Sequence, residues 1–267
     1  MAFLLLPKPK RMALQSLYRY CRHIDDMVDE APSFEIAQQN INQWKKILDR
    51  IFHLSPSDPA LAHDLNRIIT SFGVRVEDLF WILNGMEMDL QKSRYETFPE
   101  LLEYCDAVAS AVGLAMMPIF GVERDVSYNY AMSSGRALQM TNILRDVASD
   151  VRRGRVYLPQ EDMRRFNYTD RHLELGIYND EFMALMEFQL SRTLGFYIEA
   201  EKNIPSNHRR ALVPAEAMRK IYLELLKRID AKKYRVFPEK ITIPTSAKAR
   251  VFVSQMVANF FPVTFPV

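Results

Sequence analysis

Two short segments far apart in this chain of 267 residues each carry a pair of aspartates four positions apart. Asp25 and Asp29 form the first pair. Asp146 and Asp150 form the second, preceded at the same step by Asn142 and followed by the run Arg152-Arg153-Gly154-Arg155. On a helix, residues i and i+4 are neighbours, so each pair puts two carboxylates on one face at a repulsive cost of roughly 0.2–0.5 kcal/mol. A bound hard cation reverses that sign. Oxygen donors of the Asp and Asn type suit Mg²⁺, which takes one or two carboxylates and completes its shell with phosphate oxygens and water. Two such faces turned toward each other would cradle metal ions and a diphosphate. Taken singly, each segment also reads as the charged strip of an amphipathic helix.

Neighbouring residues extend the pattern. Arg22 stands three before Asp25, Gln139 three before Asn142, and Arg145 is adjacent to Asp146. Arg145 and the arginines of 152–155 can grip phosphate oxygens in bidentate fashion. Asp26 is expected to point away from the Asp25–Asp29 face by about a quarter of a turn. Tyr104 and Tyr222 are candidate polar groups in apolar surroundings, although core packing accounts for such tyrosines equally well. There is no Gly-rich phosphate loop, dinucleotide fingerprint or nucleophile elbow.

The elements that must position these residues are helices. Gly is scarce at 8 residues, hydrophobic content is 48%, and Leu, Met, Ala, Glu, Lys and Arg fill long stretches with helical periodicity. Helices are expected over about 10–30, 34–53, 59–71, 75–92, 99–120, 125–151, 179–203, 207–236 and 245–260, with short ones near 160–175. Gly113 and Pro118 predict close packing and then a kink or stop. The sum is an all-α chain of about ten helices in one domain spanning 1–267, around a central apolar cavity.

The bulk numbers exclude several functions. Net charge is +2, from 35 basic and 33 acidic residues, which is no balance for binding nucleic acid. The five histidines show no zinc spacing. Two cysteines, Cys21 and Cys105, form no disulfide framework and fit a reducing cytosol. No run of about 18 uninterrupted apolar residues predicts a spanning helix. The proline-broken apolar tail 260–267 admits either packing on the body or peripheral contact with the inner face of a membrane.

Several of these segments are similar to those of a known family. Leu5-Leu6-Pro7-Lys8-Pro9-Lys10-Arg11 with Leu17-Tyr18-Arg19-Tyr20-Cys21-Arg22-His23-Ile24-Asp25-Asp26-Met27-Val28-Asp29 resembles the first signature of the squalene/phytoene synthase family. Tyr104-Cys105 through Val112-Gly113 resembles its central segment. Gly135-Arg136-Ala137-Leu138-Gln139-Met140-Thr141-Asn142-Ile143-Leu144-Arg145-Asp146 through Gly154-Arg155-Val156-Tyr157-Leu158-Pro159 resembles its second signature. The resemblance runs nearly the whole chain in order. With Met86-Glu87-Met88-Asp89-Leu90 and the Leu-Pro-Lys-Pro-Lys-Arg opening, it looks most like the bacterial presqualene diphosphate synthases. Family members usually begin some residues earlier, so an N-terminal truncation is expected.

The resemblance implies an isoprenoid-synthase-like bundle and a Mg²⁺-dependent head-to-head prenyltransferase. It would join two farnesyl diphosphates to presqualene diphosphate on the route to squalene and hopanoids. Asp25, Asp29, Asn142, Asp146 and Asp150 would hold Mg²⁺; Arg22, Gln139, Arg145, Arg155 and Tyr222 would contact substrate; Tyr104 would be the catalytic tyrosine. The implied partners are isoprenyl diphosphates and downstream isoprenoid enzymes. Alternatives are a phytoene synthase using two geranylgeranyl diphosphates, or a non-catalytic family member acting as an assembly factor. The latter tend to lose acidic ligands that stand here. Asp25-Asp26-Met27-Val28-Asp29 also fits the first motif of chain-elongating prenyltransferases and terpene cyclases, but 142–150 fits the second motif of neither.

Overall fold

The computed structural model describes residues 6–238, 240–247 and 250–251. The apolar tail 260–267, and most of the helix expected over 245–260, lie outside them. Among the described residues there is no strand, only an isolated bridge between Arg94 and Val156. Eleven α-helices can be bounded among the described residues: α1 (Lys8–Asp29), α2 (Phe34–Asp49), α3 (Ala60–Phe72), α4 (Val76–Gln91), α5 (Phe98–Cys105), α6 (Ala111–Phe120), α7 (Tyr128–Arg152), α8 (Gln160–Arg165), α9 (Asp170–Glu174), α10 (Asp180–Lys202) and α11 (Val213–Ala231).

Helix α1 follows from its sequence. Pro9 sits in the first turn, where the missing N–H costs nothing, and Pro32 follows shortly after the helix ends. Ala13, Leu14, Leu17, Tyr20, Ile24 and Val28 form one buried stripe. The acidic residues therefore ride on its flank rather than on the buried face.

Helix α7 runs through the middle of the molecule. Tyr130, Ala131 and Met132 in its first half join one apolar cluster with α1–α4 and α6. Ala137, Met140, Ile143, Leu144 and Val147 in its second half join another with α5 and α8–α11. Its acidic residues lie along the second half, beside the second cluster.

The stretch expected as one helix over 99–120 is broken by a π-helical turn, Asp106–Ser110, between α5 and α6. Such turns recur at functional sites. Here the turn packs directly against α7: a Cβ on Gly135 would meet the Ser110 Cα at 2.4 Å, so only glycine fits. Arg136 of α7 grips Asp106 through two bonds of 2.7 Å, and Ser110 Oγ lies 3.0 Å from both Asp106 Oδ1 and Met132 O. Gly113 does pack closely, on the Ala131 backbone. By length and composition 98–120 would suffice to cross a membrane. In the fold it is a core element, packed on α4 and α7. The helix expected from 207 starts only at Val213, with Pro214 in its first turn.

Candidate active site

The Asp25–Asp29 and Asp146–Asp150 faces come together. A polar basin of about 910 Å³ is lined by Arg22, Asp25, Asp29, Gln139, Asn142, Arg145, Asp146, Asp150 and Arg155, and also by Asp89, Tyr104, Arg153 and Tyr157. Beneath it lies an apolar cavity of about 390 Å³ between α1, α6, α7 and α11. Gln139 and Asn142 line both spaces, so the two meet at that point of α7. The cavity wall is made by residues such as Leu17, Val112, Met116, Leu138 and Met218.

One departure from expectation concerns orientation. Asp26 does not point away: it lines the basin and pairs with Arg22 at 2.7 Å, beside the 3.2 Å Arg22–Asp25 contact. The guanidinium reaches forward along the helix and pairs with both carboxylates. Tyr222 lies in the wall of the apolar cavity, the kind of surroundings expected of it. Arg145 loses hydration on burial, yet Asp146 and then Tyr222 hold it in its charged form.

The loop after α7 closes the basin. Gly154 has φ +77°, the left-handed region that favours glycine. The Gly154 N–H donates to Val151 O and the Arg155 N–H to Asp150 O, both at 2.9 Å. This double bond pattern ends a helix with a sharp reversal. The reversal brings Arg155 and Arg153 to Asp29 of α1, at 3.0 and 3.4 Å. Farther along, Val156 N–H donates to Ser93 O and Gln160 N–H to Tyr95 O, fixing the strand-like passage that carries Tyr157.

Electrostatically the basin is unfinished. Burial, and then Asp29, push Asp25 above the usual carboxylate range. Burial, and then Asp146, push Asp150 up to about 7. Burial also acts on Asp146, but Arg145 and Lys240 outweigh it and hold this carboxyl low. Asn142 Oδ1 is buried with no hydrogen-bond partner. An unpaired acceptor and two carboxyls that resist ionisation are the groups a hard cation would satisfy. Among the described residues no three acidic, histidine or cysteine side chains converge closely enough to hold a metal alone. The Asp and Asn oxygens that line the basin are the donor types that fit Mg²⁺.

Asp89 and Tyr157, both in the basin lining, were not foreseen as site residues. Asp89, half-buried on α4, accepts hydrogen bonds from Tyr104 Oη at 3.0 Å and from Tyr157 Oη at 2.8 Å. Burial, opposed by Arg155 and the two phenols, leaves Asp89 at about 6. Tyr104 therefore sits at the basin's inner edge, its phenol pushed well up by burial and by Asp89. A lone aspartate between apolar residues gave no spacing signal. Its only hint was its place in Met86-Glu87-Met88-Asp89-Leu90.

Comparison with known proteins reaches the same region of the chain and nearly all the rest. Residues 1–254 match the profile of the squalene/phytoene synthase family. A 15-cis-phytoene synthase of Synechococcus elongatus is 35% identical over 260 residues, covering 92% of this chain and 83% of that protein. One from Synechocystis is 35% identical over 257 residues, covering 92% and 76%. Among solved structures, a dehydrosqualene synthase in complex with ligand superposes with a TM-score of 0.83 at 29% identity, covering 96% of this chain and 89% of that one. A squalene synthase from Alicyclobacillus acidocaldarius shares the fold, with a TM-score of 0.77 at 23% identity, covering 87% and 88%.

Proposed function

We propose a specific reaction for this chain, which belongs to the squalene/phytoene synthase family: the head-to-head condensation of two geranylgeranyl diphosphates toward phytoene. The observation that carries a prenyl diphosphate substrate is the junction at Gln139 and Asn142, where a charged basin opens onto an apolar cavity. One half suits a diphosphate, the other a hydrocarbon chain. Relatives that are 35% identical and carry the name phytoene synthase favour the twenty-carbon substrate. They outweigh the presqualene diphosphate expectation drawn from the sequence segments alone. The likeness to a dehydrosqualene synthase keeps farnesyl diphosphate as the second reading.

In this reading Asp25, Asp29, Asn142, Asp146 and Asp150 would hold Mg²⁺. Bound there, the ion would neutralise the diphosphate as the allylic C–O bond ionises. Arg22, Arg145 and Arg155 supply fixed positive charge to the phosphate oxygens. The apolar cavity wall keeps water from quenching the allylic cation. Tyr104, in the basin lining, would present its phenol oxygen to the reacting carbons.

The test is incubation of the purified protein with geranylgeranyl or farnesyl diphosphate, with Mg²⁺ and with or without NADPH, followed by mass spectrometry. A forty-carbon hydrocarbon made without NADPH is the expected product. A thirty-carbon product made in preference to it would favour the second reading, and release of prenyl alcohol alone would refute head-to-head coupling.

A further inference from the structure

We propose that Asp89 is a positioning residue that takes the phenolic protons of both Tyr104 and Tyr157, so that the Tyr104 oxygen faces the reacting carbons as an acceptor. The inference rests on the coupling reaction proposed above. Its physical basis is the count of protons. A phenol has one proton to donate. Tyr157 Oη donates to Asp89 Oδ1 at 2.8 Å and Tyr104 Oη to Asp89 Oδ2 at 3.0 Å. The contact between the two phenol oxygens is longer, at 3.4 Å, and a carboxylate is the stronger acceptor. Both protons therefore point at Asp89, and only lone pairs remain to face the basin.

The rings are fixed as firmly as the oxygens. Tyr104 and Tyr157 stack with centroids 5.0 Å apart and planes 21° apart. Tyr95 packs behind both, at 5.5 and 5.8 Å. The Tyr95 hydroxyl is buried without a partner, so it does not compete for Asp89. A carbocation beside this group meets π-faces and an oxygen lone pair, and no acidic proton.

The same geometry gives the proton a route. When the coupled cation loses its proton, the C–H bond breaks and its electron pair forms the new carbon–carbon bond. The proton passes to the Tyr104 oxygen as the phenol's original proton moves to Asp89 Oδ2. Tyr104 ends neutral, Asp89 ends protonated, and nothing is oxidised or reduced. Asp89, already pushed up to about 6 by burial, is suited to receive it.

The decisive variant is Asp89→Asn, of equal size, whose amide accepts at one atom only and donates at the other. It takes the carboxylate acceptor from one phenol, whose proton is then free to turn toward the basin. The expected result is a fall in kcat of about 10²-fold or more, the usual range for lost acid–base function, with KM changed less than about threefold. The ratio of prenyl alcohol to coupled product should rise. Protein labelled with fluorotyrosine gives a second readout that needs no turnover. Of the 12 tyrosine signals, those of Tyr104 and Tyr157, assigned by their Phe variants, should shift while the remainder stay. Glu87→Gln is the control on the same helix, since Glu87 bonds to Lys45 and Gln38 away from the basin; its kcat should stay within about twofold.

A kcat for Asp89→Asn within threefold of wild type, or a loss confined to KM, overturns the proposal while leaving the coupling reaction intact. Absence of any coupled product from the wild type would sink that reaction, and the kinetic role of Asp89 with it. Should Asp89→Asn fail to fold, Tyr157→Phe carries the test. A kcat drop of about tenfold is then expected, and an unchanged kcat overturns the proposal.

Discussion

The molecule buries acidic side chains in two contrasting ways. In the scaffold each carboxylate has its cation in place. Asp78, 1% exposed, is held by three bonds from Arg124; Glu216 by two from Arg219 and one from Tyr130; Asp106 by Arg136. In the basin the acids crowd one another, three of them (Asp25, Asp89 and Asp150) resist ionisation, and an amide oxygen has no partner. The first arrangement is complete without a ligand. In the proposed reading, the second is completed by cations and anionic oxygens. The lesson is that burial of charge alone does not mark a site; burial of charge left unsatisfied does.

This contrast can be broken most severely at Asp146. Asp146→Ala should lower turnover on prenyl diphosphate by at least about 10³-fold, the scale at which electrostatic stabilisation acts. Its helical circular dichroism should stay that of the wild type. Product formed at the wild-type rate would place Asp146 among the scaffold acids.

The reverse is expected of Asp78→Ala. Removing one partner of a buried pair costs roughly 3–5 kcal/mol, which denaturant unfolding would register. The fraction that remains folded should turn over as the wild type does, because Asp78 and Arg124 lie outside the basin and cavity linings. A stable but inactive Asp78→Ala would erase the distinction between the two kinds of acid.

A milder effect is expected where basin and cavity divide their labour. Ala109 lines the cavity only. Ala109→Phe should lower kcat/KM for geranylgeranyl diphosphate by about tenfold, in the range set by apolar pocket contacts, and affect farnesyl diphosphate less. Equal losses for both chains would mean that the cavity does not hold the hydrocarbon. The smallest change belongs to Asp125→Ala at the exposed Arg75 pair, 73% exposed at Asp125, which should stay within ~0.5 kcal/mol of wild-type stability.

Much of this contrast was legible in the residues themselves. The i, i+4 spacing placed each acidic pair on one helix face, and α1 and α7 formed within a few residues of the predicted bounds. Gly154 after a helical run, followed by Arg155, announced the reversal. What spacing could not supply was distance between elements. Nothing in 76–91 distinguishes Asp89 from any polar residue in an apolar helix, because its partners come from α5 and from the loop after α7. The π-turn was hidden for a similar reason: 98–120 is apolar and helix-compatible throughout, and the extra residue per turn is imposed by the backbone contact of Ser110 with Gly135 and by the Asp106–Arg136 pair. Asp26 was misplaced because an ideal helix projection ignores the reach of Arg22.

The central claim is that the faces of α1 and α7 act jointly, through Mg²⁺, on one diphosphate. Its most direct test is calorimetric titration of inorganic pyrophosphate into the wild-type protein, Asp29→Ala and Asp146→Ala, each with and without Mg²⁺. The account predicts Mg²⁺-dependent binding by the wild type and its loss in each variant, one change on each face. Binding that persists undiminished in either variant, or that needs no Mg²⁺ in the wild type, would contradict it.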